Sequence, residues 1–320
     1  MPTEPSSAAN SAVPAAAPAG PLAMVGLGRM GANMARRLAG AGVTVHGVDP
    51  DAAARAALHG TPGLTVHAAL DEAIAALPAP RTVWLMLPAG AATQAAIDTL
   101  LAKLAPGDLV IDGGNADHRD SRRRAEVFAT RGLSFADCGV SGGVWGLENG
   151  YCLMFGAESA AVARVAALAR MLAPAPDRGW LHCGAPGAGH FVKMIHNGIE
   201  YGAMQAYAEG FALLEGAEYG LDLAQVGELW RHGSVIRSWL LDLTAAALAE
   251  PGALQAVQPF VADSGEGRWT VEEAIRQGTP APVIALALMS RFDSQGRADT
   301  ANRLLALMRK GFGGHPVKSK

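Results

Sequence analysis

The 320 residues predict an α/β domain built on a doubly wound, mainly parallel sheet, followed by an all-α C-terminal domain. Three observations carry that expectation. Short apolar runs alternate with Ala-rich helical stretches between residues 22 and 137, the pattern of successive βαβ units. A G-x-G-x-x-G turn joins the first run to the first helix. Beyond Gly189 the strand-like runs vanish and only helical periodicity remains. The length suits two domains, because one core seldom organises more than ~250 residues. Half the residues are hydrophobic and 17% are charged, enough apolar material for a large core.

Taken in order, residues 1–21 are Ala, Pro and Ser without an apolar period, and read as a disordered tail. Strands are expected over 22–26, 43–49, 82–87, 109–112 and 133–137, with a helix between each and the next. Helices are expected over 190–217, 222–231, 234–249, 270–277, 281–292 and 299–309, separated by Gly and Pro, with Gly311 ending the last one. The formal charge of −3 argues against bulk attraction to nucleic acid or anionic membranes. No apolar run reaches the ~18–20 residues of a membrane span, and the N-terminus lacks a signal-peptide pattern, so a cytoplasmic protein is expected. Three cysteines, Cys138, Cys152 and Cys183, form no C-x-x-C pair. They suit a reducing compartment and no structural metal.

The glycine turn reads Gly26-Leu27-Gly28-Arg29-Met30-Gly31. Alone the motif is weak; between a strand and a helix it marks a Rossmann-type dinucleotide site. Gly26 permits the tight turn, Gly28 lets a pyrophosphate approach the backbone, and Gly31 lets the helix pack close. The next strand ends at Asp49, roughly 20 residues past the turn, where a carboxylate accepts from the ribose hydroxyls and repels a 2′-phosphate. Pro50 follows, where an NADP site would want a basic side chain. The cofactor expected is NAD.

Two further strands run into Asp112-Gly113-Gly114-Asn115 and Asp137-Cys138-Gly139-Val140-Ser141-Gly142-Gly143. Ligands of open parallel sheets sit beyond the carboxyl ends of strands, although either segment alone is as readily a turn. A later segment is more pointed. Lys193, His196, Asn197, Glu200 and Tyr201 fall at i, i+3, i+4, i+7 and i+8, one stripe of a helix. Phe191, Val192, Met194, Ile195 and Ile199 flank that stripe, which predicts a largely buried helix with a polar seam. Burying such a seam costs several kcal/mol unless its members pair or meet a polar ligand. A desolvated lysine can act as a base near neutral pH, with a nearby carboxylic acid returning a proton.

On the motifs IDGGN (111–115), GVSGG (139–143) and GHFVKMIHNGIEYG (189–202), the sequence resembles the 6-phosphogluconate dehydrogenases. The likeness is to their short, NAD-linked branch within the β-hydroxyacid dehydrogenase superfamily. The resemblance covers nearly all of 22–315. It implies metal-free oxidative decarboxylation of 6-phosphogluconate to ribulose 5-phosphate and CO2, as in the pentose phosphate route and gluconate use. It makes Lys193 the base at the C3 hydroxyl and Glu200 the acid that protonates the enediol. Asn115, Ser141, Gly142, Gly143, His196 and Asn197 would hold the sugar acid, Asn115 also touching the cofactor, and Tyr201 and Arg291 its phosphate. Arg309 and His315 would reach a neighbouring subunit's site, which implies a homodimer or homotetramer. The implied domains are a cofactor domain over 22–188, a helical substrate and dimerisation domain over 189–308, and a reaching tail over 309–320. The chain departs from the longer family members where Ser264 and Glu266 stand in place of their phosphate-binding lysine and threonine.

Two rivals remain open on the sequence. One is a β-hydroxyacid dehydrogenase acting on a small unphosphorylated acid of the 3-hydroxyisobutyrate type, which has no use for His196, Tyr201, Arg291 or His315. The other is a non-catalytic NAD-sensing protein, which should have lost Lys193 or Glu200 first. The remaining histidines, among them His190, read as structural or surface residues.

Overall fold

A computed structural model of the chain describes residues 19–313 and 316–318, so most of the tail read over 1–21 lies outside the described residues. The chain forms two units, Met1–Met194 and Ile195–Lys320. The first runs β1 (Leu22–Val25), α1 (Arg29–Gly40), β2 (Val45–Val48), α2 (Ala52–Ala56), β3 (Leu64–His67) and α3 (Leu70–Ala76). It continues through β4 (Thr82–Leu85), α4 (Ala91–Lys103), β5 (Leu109–Asp112), α5 (His118–Ala129), β6 (Ser134–Ser141) and a 3-10 turn at Gly143–Trp145. Then come α6 (Gly146–Asn149), β7 (Cys152–Ala157), α7 (Ser159–Leu172), β8 (Trp180–Gly184) and the start of α8 (Ala188–Glu215).

One eight-stranded sheet, in the order β3-β2-β1-β4-β5-β6-β7-β8, organises this unit. Every neighbouring pair is parallel except β6–β7. Strand alternation explains why both faces are covered. In β1, Leu22 and Met24 join the core under α1 and α7, while Ala23 and Val25 join the opposite core under α3, α4 and α5. The four residues of β1, of β4 and of β5 are all buried, which is why their sequences are apolar but for Thr82 opening β4 and Asp112 closing β5.

The second unit carries the rest of α8, then α9 (Leu223–Trp230), α10 (Trp239–Ala249), α11 (Glu266–Gln277), α12 (Pro282–Ser294) and α13 (Asp299–Gly313). Local chemistry sets these boundaries. Asp222 and Ser238 cap α9 and α10 by accepting from backbone N–H groups, and Pro282 opens α12 at a position that lacks an N–H donor anyway. Gly278 closes α11 in the left-handed conformation, at φ 67°.

The architecture is the expected one, with three strands added. β3, β7 and β8 complete the sheet at its two ends, and α13 continues through Gly311 to Gly313 rather than stopping there. Among the described residues no helix is long and apolar enough to cross a membrane.

Candidate functional site

The glycine turn between β1 and α1 has the geometry a pyrophosphate requires. Gly26 sits at φ 92°, and a Cβ there would come within 2.5 Å of the Met86 carbonyl oxygen. A Cβ on Gly31 would come within 2.0 Å of the Gly26 carbonyl, so α1 can lie against the turn only because residue 31 is glycine. Gly28 is different: a Cβ there meets nothing within 4 Å, leaving open space beside the backbone. Gly28 also caps α1 without any side-chain hydrogen bond, and the first turn carries no acidic residue, so the N-terminal N–H groups remain available to an anion. Arg29 is exposed beside this turn and Met30 half-buried. The Leu27 N–H donates to Asp49 Oδ2 at 2.8 Å, and Asp51 N–H donates to Oδ1 at 2.9 Å. Each carboxylate oxygen therefore keeps further acceptor capacity, and the residues present fit a dinucleotide.

The carboxyl end of β5 and the middle of β6 carry a second cluster, since β6 runs on to Ser141 instead of ending at Asp137 as its sequence suggests. Asp112 and Asp137 are register partners on these neighbouring strands, and both are buried. Arg124 of α5 donates to Asp112 Oδ2 at 2.9 Å, and Gly114 N–H donates to Oδ1 at 3.3 Å. Burial pushes the Asp112 carboxyl above the usual carboxylate range, opposed by His190, Arg124 and the Gly114 N–H. Asp137 instead holds the approach to α8, accepting from Gly187 N–H at 2.5 Å and His190 N–H at 2.7 Å. These contacts bring α8 onto β6 so tightly that a Cβ on Gly139 would fall 2.2 Å from Lys193 Cβ. Lys193 is buried there, 6% exposed. Ser141 and Gly142 are half-buried, while Asn115 and Gly143 are exposed.

Past Met194 the seam of α8 belongs to the second unit. Asn197 and Tyr201 are buried, and His196 and Glu200 are about 40% exposed, with side-chain values of 38% and 40%. His196 Nδ1 lies 2.9 Å from Asn197 Oδ1 and 3.8 Å from Glu200 Oε2, so the three polar groups form one row along the helix. The apolar flanks are less enclosed than the pattern suggests, since Ile199 is 61% exposed. The Tyr201 hydroxyl accepts from Ser264 N–H at 3.2 Å, shares a hydrogen bond with Ser264 Oγ at 3.1 Å, and donates to Asp263 at 3.4 Å. Arg291 stacks on the Tyr201 ring at 3.4 Å and donates to the Ala262 carbonyl. Arg268 pairs with Asp263 and lies over Phe292. Two guanidinium groups thus flank the loop where Ser264 and Glu266 stand, and Glu266 is buried. Arg309 is exposed on α13; His315 lies outside the described residues.

Sequence reasoning passed over Asp137, Ser121, Arg124 and His190 as site residues. The one available signal was an aspartate closing each of the expected apolar runs over 109–112 and 133–137, just before a glycine-bearing segment. Among the described residues no three His, Cys, Asp or Glu side chains converge as they would on a metal ion.

A dinucleotide turn, glycine-bearing strands and a helix bearing a buried lysine mark a nicotinamide-linked dehydrogenase. Residues 21–177 match the NAD binding domain of 6-phosphogluconate dehydrogenase, and residues 189–313 match its C-terminal domain. The chain belongs to the 6-phosphogluconate dehydrogenase family. It is 41% identical over 300 residues to the NAD(+)-dependent, decarboxylating 6-phosphogluconate dehydrogenase of Haloferax volcanii, spanning 93% of this chain and 99% of that protein. Identity to the decarboxylating enzyme of Escherichia coli is 34% over 289 residues, 85% of this chain but only 61% of that longer protein. Among solved structures, the 6-phosphogluconate dehydrogenase of Plasmodium falciparum superposes with a TM-score of 0.78 at 26% identity. That structure was determined apo, with NADP+ and with 6-phosphogluconate; the match covers 95% of this chain and 66% of the other.

Proposed function

We propose that this protein oxidatively decarboxylates 6-phosphogluconate to ribulose 5-phosphate and CO2, with NAD as oxidant. The observation that carries the reading is the placement of Lys193, buried against Gly139 of β6 and followed on the same helix by the row Asn197, His196 and Glu200. When bound, NAD would supply the acceptor for the hydride on C3 of the sugar acid. Lys193 takes the C3 hydroxyl proton as that hydride leaves, giving a carbonyl β to the carboxylate. As the C1–C2 bond breaks, CO2 departs and its bonding electrons remain on C2, delocalised as an enediolate. The protonated Lys193 stabilises the developing charge on the C3 oxygen, the term expected to dominate catalysis in a water-poor site. Glu200, on the more open side of the helix, delivers the proton that completes ribulose 5-phosphate.

Asn115, Ser141, Gly142, Gly143, His196 and Asn197 orient the sugar acid. Arg291 takes its phosphate together with Tyr201, its planar guanidinium suited to bidentate contact. The turn from Gly26 to Gly31 and Asp49 hold NAD. Residues 22–188 act as the cofactor domain and 189–308 as the substrate and dimerisation domain. The segment 309–320, with Arg309 and His315, serves a neighbouring subunit's site, so the working form is a cytoplasmic homodimer or homotetramer. Supporting that last point, α13 leaves Leu304, Leu305, Leu307 and Met308 more than half exposed.

The test is the purified protein with 6-phosphogluconate and NAD, following reduced cofactor at 340 nm and CO2 release together. Stoichiometric formation of both is expected. Turnover of 3-hydroxyisobutyrate but not of 6-phosphogluconate would overturn the substrate, and NAD binding without any turnover would make the protein a sensor.

A further inference from the structure

His190 is the most enclosed titratable side chain on the substrate helix, 2% exposed and one turn before Lys193. Its ring shares a hydrogen bond with Ser121 Oγ of α5, Nδ1 to oxygen 2.7 Å. Its Nδ1 also lies 4.0 Å from Asp137 Oδ2, and its own N–H donates to that same oxygen at 2.7 Å. Nε2 is buried without a hydrogen-bond partner. The surrounding charges are the register-paired Asp112 and Asp137 of β5 and β6 and Arg124 of α5. Nothing in the reaction proposed above uses this residue.

The cost of the arrangement is informative. Two buried carboxylates on adjacent strands repel each other, and a buried imidazole with one orphaned nitrogen forfeits hydration that nothing replaces. An apolar side chain would fill the space more cheaply. What the imidazole supplies is connection. Asp112 leads into the Gly113–Asn115 turn, Asp137 leads into Gly139–Gly143, and His190 leads into Lys193. Through Ser121 and Asp137 the ring joins α5, β6 and α8, and Asp137 pairs in register with Asp112 of β5.

We propose that His190 is a positioning residue for the oxidation step. Buried between Ser121 and the paired aspartates, it fixes the rotation and depth of α8 so that the Lys193 amine stands over the strand ends that present Asn115 and Ser141. It touches neither substrate nor cofactor. A shift of about 1 Å in a reacting group costs on the order of a hundredfold in rate, so a residue that only sets distance can matter greatly.

The inference rests on Lys193 being the base, and the test separates the two. In the full-length protein, kcat, the KM for 6-phosphogluconate and the Kd for NAD (by quenching of tryptophan fluorescence) are measured for His190→Leu, His190→Asn and Lys193→Met. His190→Leu should lower kcat at least tenfold with the Kd for NAD within twofold of wild type. His190→Asn, whose amide can rebuild the bond to Ser121, should recover most of that loss. Wild-type kcat in His190→Leu, beside an inactive Lys193→Met, overturns the positioning role and leaves the base intact. Equal losses in the Leu and Asn variants overturn it as well. An active Lys193→Met sinks the base assignment and, with it, this one. If His190→Leu does not fold, Ser121→Ala decides: the ring stays but is released, and an unchanged kcat there overturns the proposal.

Discussion

The two units differ in how far each completes its own core. In the first, the central strands are sealed on both faces, and Leu22, Met24, Trp84, Leu109 and Ile111 are fully buried. In the second, the buried apolar residues are few, Tyr201, Phe211, Leu241, Ala245, Ala287 and Leu288. Its helices leave Leu213 78%, Ile275 76%, Leu286 67% and Leu229 66% exposed. At roughly 25 cal/mol per Å² of apolar surface, such helices gain more by meeting another surface than by facing water. The cofactor half closes its core within its own sequence; the helical half leaves much of its apolar surface exposed. The contrast extends to the sites. Backbone geometry, with no room for a Cβ on Gly26 or Gly31, makes the dinucleotide turn, whereas side chains, some buried and some half exposed, make the seam of α8. Two regions built so differently should fail separately.

The strongest separation comes from Lys193→Met. Turnover of 6-phosphogluconate should fall about a thousandfold or more, the range of a lost general base, while the Kd for NAD stays within twofold of wild type. Near-normal turnover would place proton abstraction elsewhere. A joint loss of chemistry and NAD binding would show that the two regions are not independent.

Asp49→Asn attacks the other side. The native carboxylate opposes a 2′-phosphate by a few kcal/mol, so wild type should prefer NAD and the variant should lose about a hundredfold of that preference. The KM for 6-phosphogluconate should not move. The measurement is the ratio of kcat/KM for NAD and NADP in both proteins. A wild-type preference for NADP removes the argument from Asp49.

The same contrast governs what the sequence could disclose. β1, β4 and β5 were legible because a strand covered on both faces is apolar at nearly every residue, and a βαβ order is local. β3 was not, being a four-residue edge strand whose half-buried Leu64–His67 carries no run. β7 and β8 were missed because nothing local in CLMFGA or WLHCG announces an antiparallel return beside β6. On α8 the stripe from Lys193 to Tyr201 was visible as spacing. The bonds that seat the helix were not, since His190 meets Ser121 and Asp137 across 69 and 53 residues of chain. The end of α13 was misjudged because glycine weakens a helix without forbidding it, and the helix runs two residues past Gly311.

A smaller effect should follow removal of residues 309–320. If Arg309 and His315 of one chain serve the phosphate in another, each charge-assisted contact contributes about 1.5–3 kcal/mol. The KM for 6-phosphogluconate should then rise well over tenfold, with NAD affinity unchanged. Mixing the truncated chain with Lys193→Met should restore activity, because a mixed pair holds one site with an intact lysine and an intact tail. No recovery, despite confirmed subunit exchange, would mean the tail serves its own chain or none.

The smallest expected effect is on stability, and it bears most directly on the unfinished core. Leu304, Leu305, Leu307 and Met308 project within one face of α13 and are 54%, 54%, 57% and 55% exposed. If that face closes against a second copy, association stabilises the folded chain by mass action, and the Tm of wild type should rise with chain concentration. Leu304→Lys with Leu307→Lys should abolish the concentration dependence, lower Tm by about a few °C and shift sedimentation toward the monomer. The Kd for NAD should be unaltered, because the cofactor half needs no partner for its core. A wild-type Tm independent of concentration, with the double variant unchanged, would show that α13 faces water and that the helical unit stands on its own few buried residues.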